Sequence, residues 1–215
     1  MCSTIREQSD QVKAAATDRL PVDVLDAFDR SIADLLEAGI PSDAIKVGDR
    51  LDPFTLDDAT GQPVSLDQIV SAGPAVVVFY RGGWCPYCNV ALRTYQRDLL
   101  PQLEGFGARL VAISPQTPDQ SLSTVEKAEL SFTVLSDPGS RLAGKIGIAF
   151  QQPDEVLAAQ RLIGTDLAQV NAEGATRLPR PTVLVVDRDR VVRFVDVQPD
   201  YTARTEVADI VAALR

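Results

Sequence analysis

An apolar, β-branched run, Val76-Val77-Val78-Phe79-Tyr80, ends at Gly82-Gly83 and predicts a strand covered on both faces, in the middle of a mostly parallel sheet. Beyond the glycines, Ala91, Leu92, Tyr95, Leu99 and Leu100 keep near the three-and-four spacing of a helical stripe, which Pro101 interrupts. The alternation then repeats. Residues 109–113 predict a strand, 121–130 a helix, 132–135 a strand, and 141–146 a helix opened by Asp137-Pro138. This order is that of right-handed βαβ crossovers on a parallel core. Upstream, residues 52–66 predict a hairpin before the main sheet, turning at Asp57-Asp58-Ala59-Thr60-Gly61. Downstream, residues 182–186 and 191–195 predict strands around the turn Asp187-Arg188-Asp189-Arg190, and residues 205–214 a closing helix.

Two stretches depart from the alternation. Residues 3–38 read as two helices broken near Leu20-Pro21. In the second, Val22, Leu25, Phe28, Ile32, Leu35 and Leu36 form an apolar stripe opposite Asp23, Asp26, Asp29 and Asp34. Such a stripe packs on its own domain or serves self-association, for which a homodimer is the simplest outcome. Residues 150–179 have a helical middle, 155–162, and polar ends, and read as an insertion near the face that carries the chemistry.

The chain has 215 residues, with 45% hydrophobic and 24% charged, which fits one well-cored domain with a terminal extension. A net charge of −9 argues against a nucleic-acid backbone or an anionic membrane surface as partner. No stretch approaches the roughly 20 apolar residues of a membrane span, and the first residues show no apolar signal core, so a cytoplasmic location is expected. There is no histidine, so neither a Ser-His nor a Cys-His pair can be built.

The candidate chemistry is Cys85 and Cys88, at the start of the helix that follows the glycines. Unpaired backbone N–H groups and the positive end of the helix dipole stabilise a thiolate there. Pro86 suits the first helical position, and two sulfurs one turn apart can attack and resolve in turn. A C-x-x-C pair can also be half of a zinc site. The only other cysteine is Cys2, however, a terminal bystander, so closing four ligands would need carboxylates or a second chain; no metal and no cofactor are expected. Two buried core thiols are the remaining alternative.

Trp84-Cys85-Pro86-Tyr87-Cys88 resembles the active site of the thioredoxin and glutaredoxin superfamily. The wider frame resembles its peroxiredoxin branch, the alkyl hydroperoxide reductase and thiol-specific antioxidant (AhpC/TSA) family. That frame comprises Val47-Gly48-Asp49, Phe54-Thr55-Leu56, Gly61 to Leu66, Leu110 to Ser114 and Phe132 to Asp137. The resemblance implies an α/β, thioredoxin-like fold of the peroxiredoxin type, with a central mixed sheet flanked by helices. It divides the chain into an N-terminal helical extension, 1–46, and a domain, 47–215, carrying the insertion at 150–179. The implied activity is reduction of hydroperoxides by the cysteine pair, recycled by a thioredoxin- or glutaredoxin-type reductant. A protein-disulfide reductase or isomerase, and a redox-sensing module without turnover, use the same cysteines.

Aligned on Phe79-Tyr80, Cys88 falls where peroxiredoxins carry the peroxide-attacking cysteine and Cys85 where they carry a threonine. Arg81 takes the place of their proline, Ala91 that of a common carboxylate, and Pro181 that of a later arginine, with Arg180 adjacent. By the helix-end argument Cys85, expected to be the more exposed, is the nucleophile toward disulfides; by alignment Cys88 attacks peroxide. Arg81 and Arg180 are candidates for stabilising the thiolate, or else solvated surface charges. Pro181-Thr182 matches the thioredoxin pattern, in which the proline is cis against the cysteines and leaves neighbouring backbone groups free to pair with an extended partner.

Overall fold

A computed structural model describes residues 3–215; Cys2 lies outside the described residues. In chain order the elements begin with helices α1 (Ile5–Thr17) and α2 (Val22–Ala38), the hairpin β1 (Thr55–Asp58) and β2 (Pro63–Ser65), and the short helix α3 (Leu66–Val70). Then come β3 (Ala75–Phe79), α4 (Pro86–Thr94), a π-helical turn (Tyr95–Leu99), α5 (Leu100–Leu103), β4 (Arg109–Ser114), α6 (Pro118–Ala128), β5 (Thr133–Ser136) and α7 (Arg141–Lys145). The remainder comprises β6 (Ala149–Gln151), α8 (Asp154–Leu162), α9 (Leu167–Val170), β7 (Arg177–Pro179), β8 (Thr182–Val186), β9 (Val192–Val197) and α10 (Val207–Ala213).

Seven strands form one mixed sheet in the order β2-β1-β5-β4-β3-β8-β9. Strands β3, β4 and β5 are parallel, while β1, β8 and β9 join antiparallel. The first hairpin therefore extends the main sheet rather than preceding it. Its turn is held by the Asp58 carboxylate, which accepts the N–H groups of Thr60 and Gln62 at 2.8 and 3.0 Å. Alternate residues of β3 serve opposite cores, as a period of two requires. Val76, Val78 and Tyr80 pack under α4 and α10, whereas Ala75, Val77 and Phe79 pack against Leu66, Ile69, Leu142 and Ile148.

The π turn explains how a helix passes the interruption at Pro101. A proline inside a helix clashes with the carbonyl four residues back and offers no N–H. Here the preceding N–H, of Leu100, bonds the carbonyl of Tyr95, five residues back, which widens the turn where the ring must fit.

Helix α1 lies on the side of the sheet that carries α4. Thr4 and Glu7 form a capping box at the start of α1, Ile5 is wholly buried in the core beside α4, and the N–H groups of Ile5 and Arg6 donate to the Glu206 carboxylate at 3.1 and 2.9 Å. Helix α2 packs on α8 through Val24, Ala27, Ser31 and Leu35. This corrects the stripe expected from the sequence. The facing helix selects the narrow Ala27-Ser31 face for close approach, leaving Val22 72% and Leu36 53% exposed. Leu25, Phe28 and Ile32 instead line a cavity over the cysteine pair.

Deleting residues 1–40 is expected to make the protein aggregate or melt several degrees lower, because Ile5 fills a core position and α2 covers α8 and the core residue Leu157. An unchanged melting curve and solution mass would show that the extension covers nothing the domain needs. Among the described residues no helix is long and apolar enough to cross a membrane.

Candidate active site

Strand β3 delivers the cysteine pair through a fixed hinge. Tyr80 N–H continues the strand pairing to the Ile113 carbonyl at 2.9 Å, after which Gly82 adopts φ 147°. A Cβ at Gly82 would collide with the Trp84 indole, and one at Gly83 with the Thr124 side chain. The turn is then tied by Gly83 N–H to Gln116 Oε1 at 2.7 Å and by Asn89 Nδ2 to the Gly83 carbonyl at 2.8 Å. Gly82→Ala should destabilise the protein by about 1–3 kcal/mol, through the left-handed backbone and the displaced indole together. Denaturant unfolding of the variant checks this; an unchanged midpoint would show that the hinge relaxes freely.

Cys85 caps the N-terminus of α4 in extended conformation, Pro86 holds the first helical position, and Cys88 sits one turn on. The sulfurs stand 3.4 Å apart. Contrary to the expectation that Cys85 is the exposed member, both are buried, at 1% and 0% exposure. Residues of α1 and α2 and Tyr201 line a cavity over this helix end together with Cys85.

Arg204, just before α10, decides the electrostatics. Its Nη2 donates to Cys88 Sγ at 3.0 Å and stands 3.9 Å from Cys85 Sγ, while Nη1 bonds the carbonyls of Tyr201 and Ala203 at 2.6 and 2.5 Å. Arg81 Nη1 lies 4.0 Å from Cys85 Sγ. Its guanidinium, 3% exposed, is held between Trp84 and Tyr201, 5.0 and 4.0 Å from their ring centres. Burial alone would push the Cys88 thiol up. The hydrogen bond from Cys85, the charges of Arg204 and Arg81 and the Arg81 backbone N–H more than offset it, so Cys88 is held well below the ordinary thiol value. Cys85 moves the other way, pushed up by burial and by its neighbour's charge, with the two arginines only partly opposing. The negative charge is therefore favoured on Cys88 and the proton on Cys85. Burial and the nearby Cys85 push the Tyr87 hydroxyl up to about 12, so it stays neutral beside them.

Of the residues singled out in the sequence, Trp84, Pro86, Tyr87 and Arg81 all stand at the pair, and Arg81 is a buried cation rather than a surface one. Arg180 is buried too, yet its guanidinium stacks over Phe150 at 5.5 Å and bonds neither sulfur. Pro181 lines a void of about 10 Å³ shared with Cys88 and Arg204. The expected cis bond is absent: among the described residues every peptide is trans. Nor are the neighbouring backbone groups free. Arg180 N–H donates to the Ile148 carbonyl at 2.8 Å beside the β6-β7 pair, and its own carbonyl accepts from Thr182 Oγ1 at 3.0 Å. Ile148 and Thr182 thus engage the backbone groups with which an extended partner strand would pair. Arg204 and Tyr201 were not singled out from the sequence; they lie more than a hundred residues from the motif, in a loop without a pattern of its own.

The model of the AhpC/TSA family matches residues 47–195, well over half of the chain. The chain belongs to the AhpC/TSA family. A chloroplastic peroxiredoxin Q of Sedum lineare is 34% identical over 96 residues, covering 45% of this chain and 50% of that protein. Peroxiredoxin Bcp of Escherichia coli is 30% identical over 104 residues, covering 48% and 65%. The matched part thus spans about half the length of the first of these relatives. The crystal structure of peroxidoxin BcpB from Mycobacterium tuberculosis superposes with a TM-score of 0.62 at 25% identity, over 80% of this chain and 97% of that one. The thioredoxin-like fold of the AhpC/TSA family is shared, therefore, while residues 1–46 lie outside the family match.

Proposed function

We propose that the protein is a thiol peroxidase that reduces hydroperoxides through Cys88 and Cys85. The observation that carries the reading is the Arg204 guanidinium on Cys88 Sγ with the Cys85 sulfur 3.4 Å away. The thiolate of Cys88 attacks the terminal oxygen of the hydroperoxide. The O–O bond breaks, Cys88 becomes a sulfenic acid, and the departing alkoxide takes the Cys85 proton to leave as the alcohol. Cys85, now a thiolate, attacks the sulfenic sulfur; a disulfide forms, and hydroxide leaves and is protonated to water. An external dithiol of thioredoxin or glutaredoxin type returns both thiols, which fits a reducing compartment such as the cytoplasm. The peroxiredoxin names of the relatives support the same chemistry.

One observation favours a second reading: Cys85, not Cys88, lines the cavity that opens toward solvent. In that reading Cys85 meets the peroxide after its proton passes to Cys88, and the roles exchange. Both readings predict that one equivalent of hydroperoxide consumes both thiols of the reduced protein and leaves a Cys85–Cys88 disulfide. Thiol counting and peptide mass analysis test this. Peroxide left unconsumed while insulin disulfides are reduced would transfer the site to disulfide exchange.

For the organisation of the chain, we read residues 1–46 as an extension and 47–215 as the domain, with the insertion at 150–179 bearing α8 and α9. Exposed Val22, Leu36 and Ile40 give the extension an apolar outer surface suited to a homodimer.

A further inference from the structure

The cavity over the cysteine pair has a volume of about 310 Å³, at the lower end of the range for small-molecule sites and about twice the engineered apolar cavity that takes up benzene. Its floor is Cys85, Trp84 and Tyr87, with the Arg81 guanidinium beneath. Val12 and Ala16 of α1 and Leu25, Phe28 and Ile32 of α2 form the opposite wall, and Ile163 after α8 closes one end. The wall is braced to the floor, since Tyr201, stacked on Arg81, donates its hydroxyl to the Phe28 carbonyl at 3.2 Å. Most of these wall residues lie in the extension, outside the part of the chain that the family model matches. The charged side chains on the extension side are Lys13, Asp26 and Asp29, so that rim is net acidic.

Leu25, Phe28 and Ile32 are large, half-buried apolar groups that line this cavity, Phe28 and Ile32 also packing on the α2–α8 side, and the space they line ends on a sulfur. An apolar body seated there leaves water, which is favourable in proportion to the area covered. Hydrogen peroxide covers none of it. On the extension side Asp26 and Asp29 outnumber Lys13, which disfavours a carboxylate bound against that wall. We infer that the extension supplies a substrate pocket to the thiol site, selecting uncharged hydroperoxides with a compact apolar body, aryl or branched alkyl, over hydrogen peroxide and over fatty-acid hydroperoxides. The inference rests on the peroxidase reading, in which the same O–O cleavage converts the hydroperoxide to its alcohol. It holds whichever sulfur attacks, because the two are adjacent.

Trp84 is the only tryptophan of the chain and lies in the cavity floor, so its fluorescence reports occupancy without turnover. Titration with 2-phenylpropan-2-ol, the unreactive alcohol derived from cumene hydroperoxide, should give a saturable change. Ala16→Phe, which fills the space, and Leu25→Ser, which removes apolar wall, should each weaken it. In kinetics, kcat/KM for cumene hydroperoxide should exceed that for hydrogen peroxide and for linoleic acid hydroperoxide. Each variant should lower the cumene-to-hydrogen-peroxide ratio by about tenfold, mainly through KM, as the loss of a few apolar contacts does. Leu25 belongs to no core cluster, so its variant serves if Ala16→Phe fails to fold. Equal rates for cumene hydroperoxide and hydrogen peroxide with no Trp84 response overturn the pocket and leave the peroxidase reading standing. A preference for the fatty-acid hydroperoxide overturns the selection against charge. A Trp84 response without reduction of any hydroperoxide overturns the peroxidase reading, and with it the substrate, though not the cavity's affinity for apolar bodies.

Discussion

Cys88→Ser is expected to reduce hydroperoxide consumption to the uncatalysed level, whereas Cys85→Ser is expected to react once and stop with a sulfenic acid on Cys88. The asymmetry follows from where the charge is held. Arg204 approaches Cys88 within 3.0 Å but Cys85 only within 3.9 Å, and only the thiolate form of a cysteine is the nucleophile. In Cys85→Ser the thiolate loses a thiol donor and gains a hydroxyl that can donate in its place, so the first step survives. The sulfenic acid then has no partner sulfur 3.4 Å away and persists until an external thiol reaches it. A dimedone-type probe with mass analysis reads the result directly. Trapping on Cys85 in Cys88→Ser, with Cys85→Ser inert, would assign the attack to Cys85 and support access over charge.

Much of this site was legible in the sequence, because its local parts obey local rules. The β-branched run from Val76 to Phe79, the glycines needed at 82 and 83 and the proline at the first helical position each specify their own conformation, and together they place both sulfurs at a helix start. What was not legible depends on distant partners. The Pro181-Thr182 pair is the same dipeptide whether its neighbours are free or engaged; the Ile148 carbonyl, just before β6, takes up Arg180 N–H. The packed face of α2 is equally non-local, since its stripe offered two ways to turn and α8 selected the small residues. Arg204 carries no signal in its surroundings, being one arginine among many in a loop. The absence of histidine was the one sequence feature that bore on it, since it leaves arginine and lysine as the cations available to a thiolate, but it does not choose among them.

Arg204→Gln is expected to move the pH dependence of peroxide reduction upward, and the direction of the change with pH separates an electrostatic role from a structural one. In the native protein Cys88 is held well below the ordinary thiol value, so its rate should fall only at a pH lower than that at which an ordinary thiol loses its thiolate. Glutamine keeps an N–H donor but removes the charge. Losing an opposite charge at this range raises a pKa by about 1–3, with Arg81 limiting the rise. At any pH well below the variant's pKa the reactive thiolate fraction falls about tenfold with each further step of one in pH, and the rate falls with it. Above that pKa the deficit should close and can reverse, since a thiolate of higher pKa is intrinsically the stronger nucleophile. The variant should therefore be most impaired at low pH and approach the native protein as pH rises past the variant's own pKa, and Arg204→Lys, which keeps the charge but not the fork, should fall between. Alkylation of Cys88 in a Cys85→Ser background gives the same titration without peroxide. A loss that is uniform with pH would show that Arg204 matters through its bonds to the Tyr201 and Ala203 carbonyls, holding the loop rather than the charge.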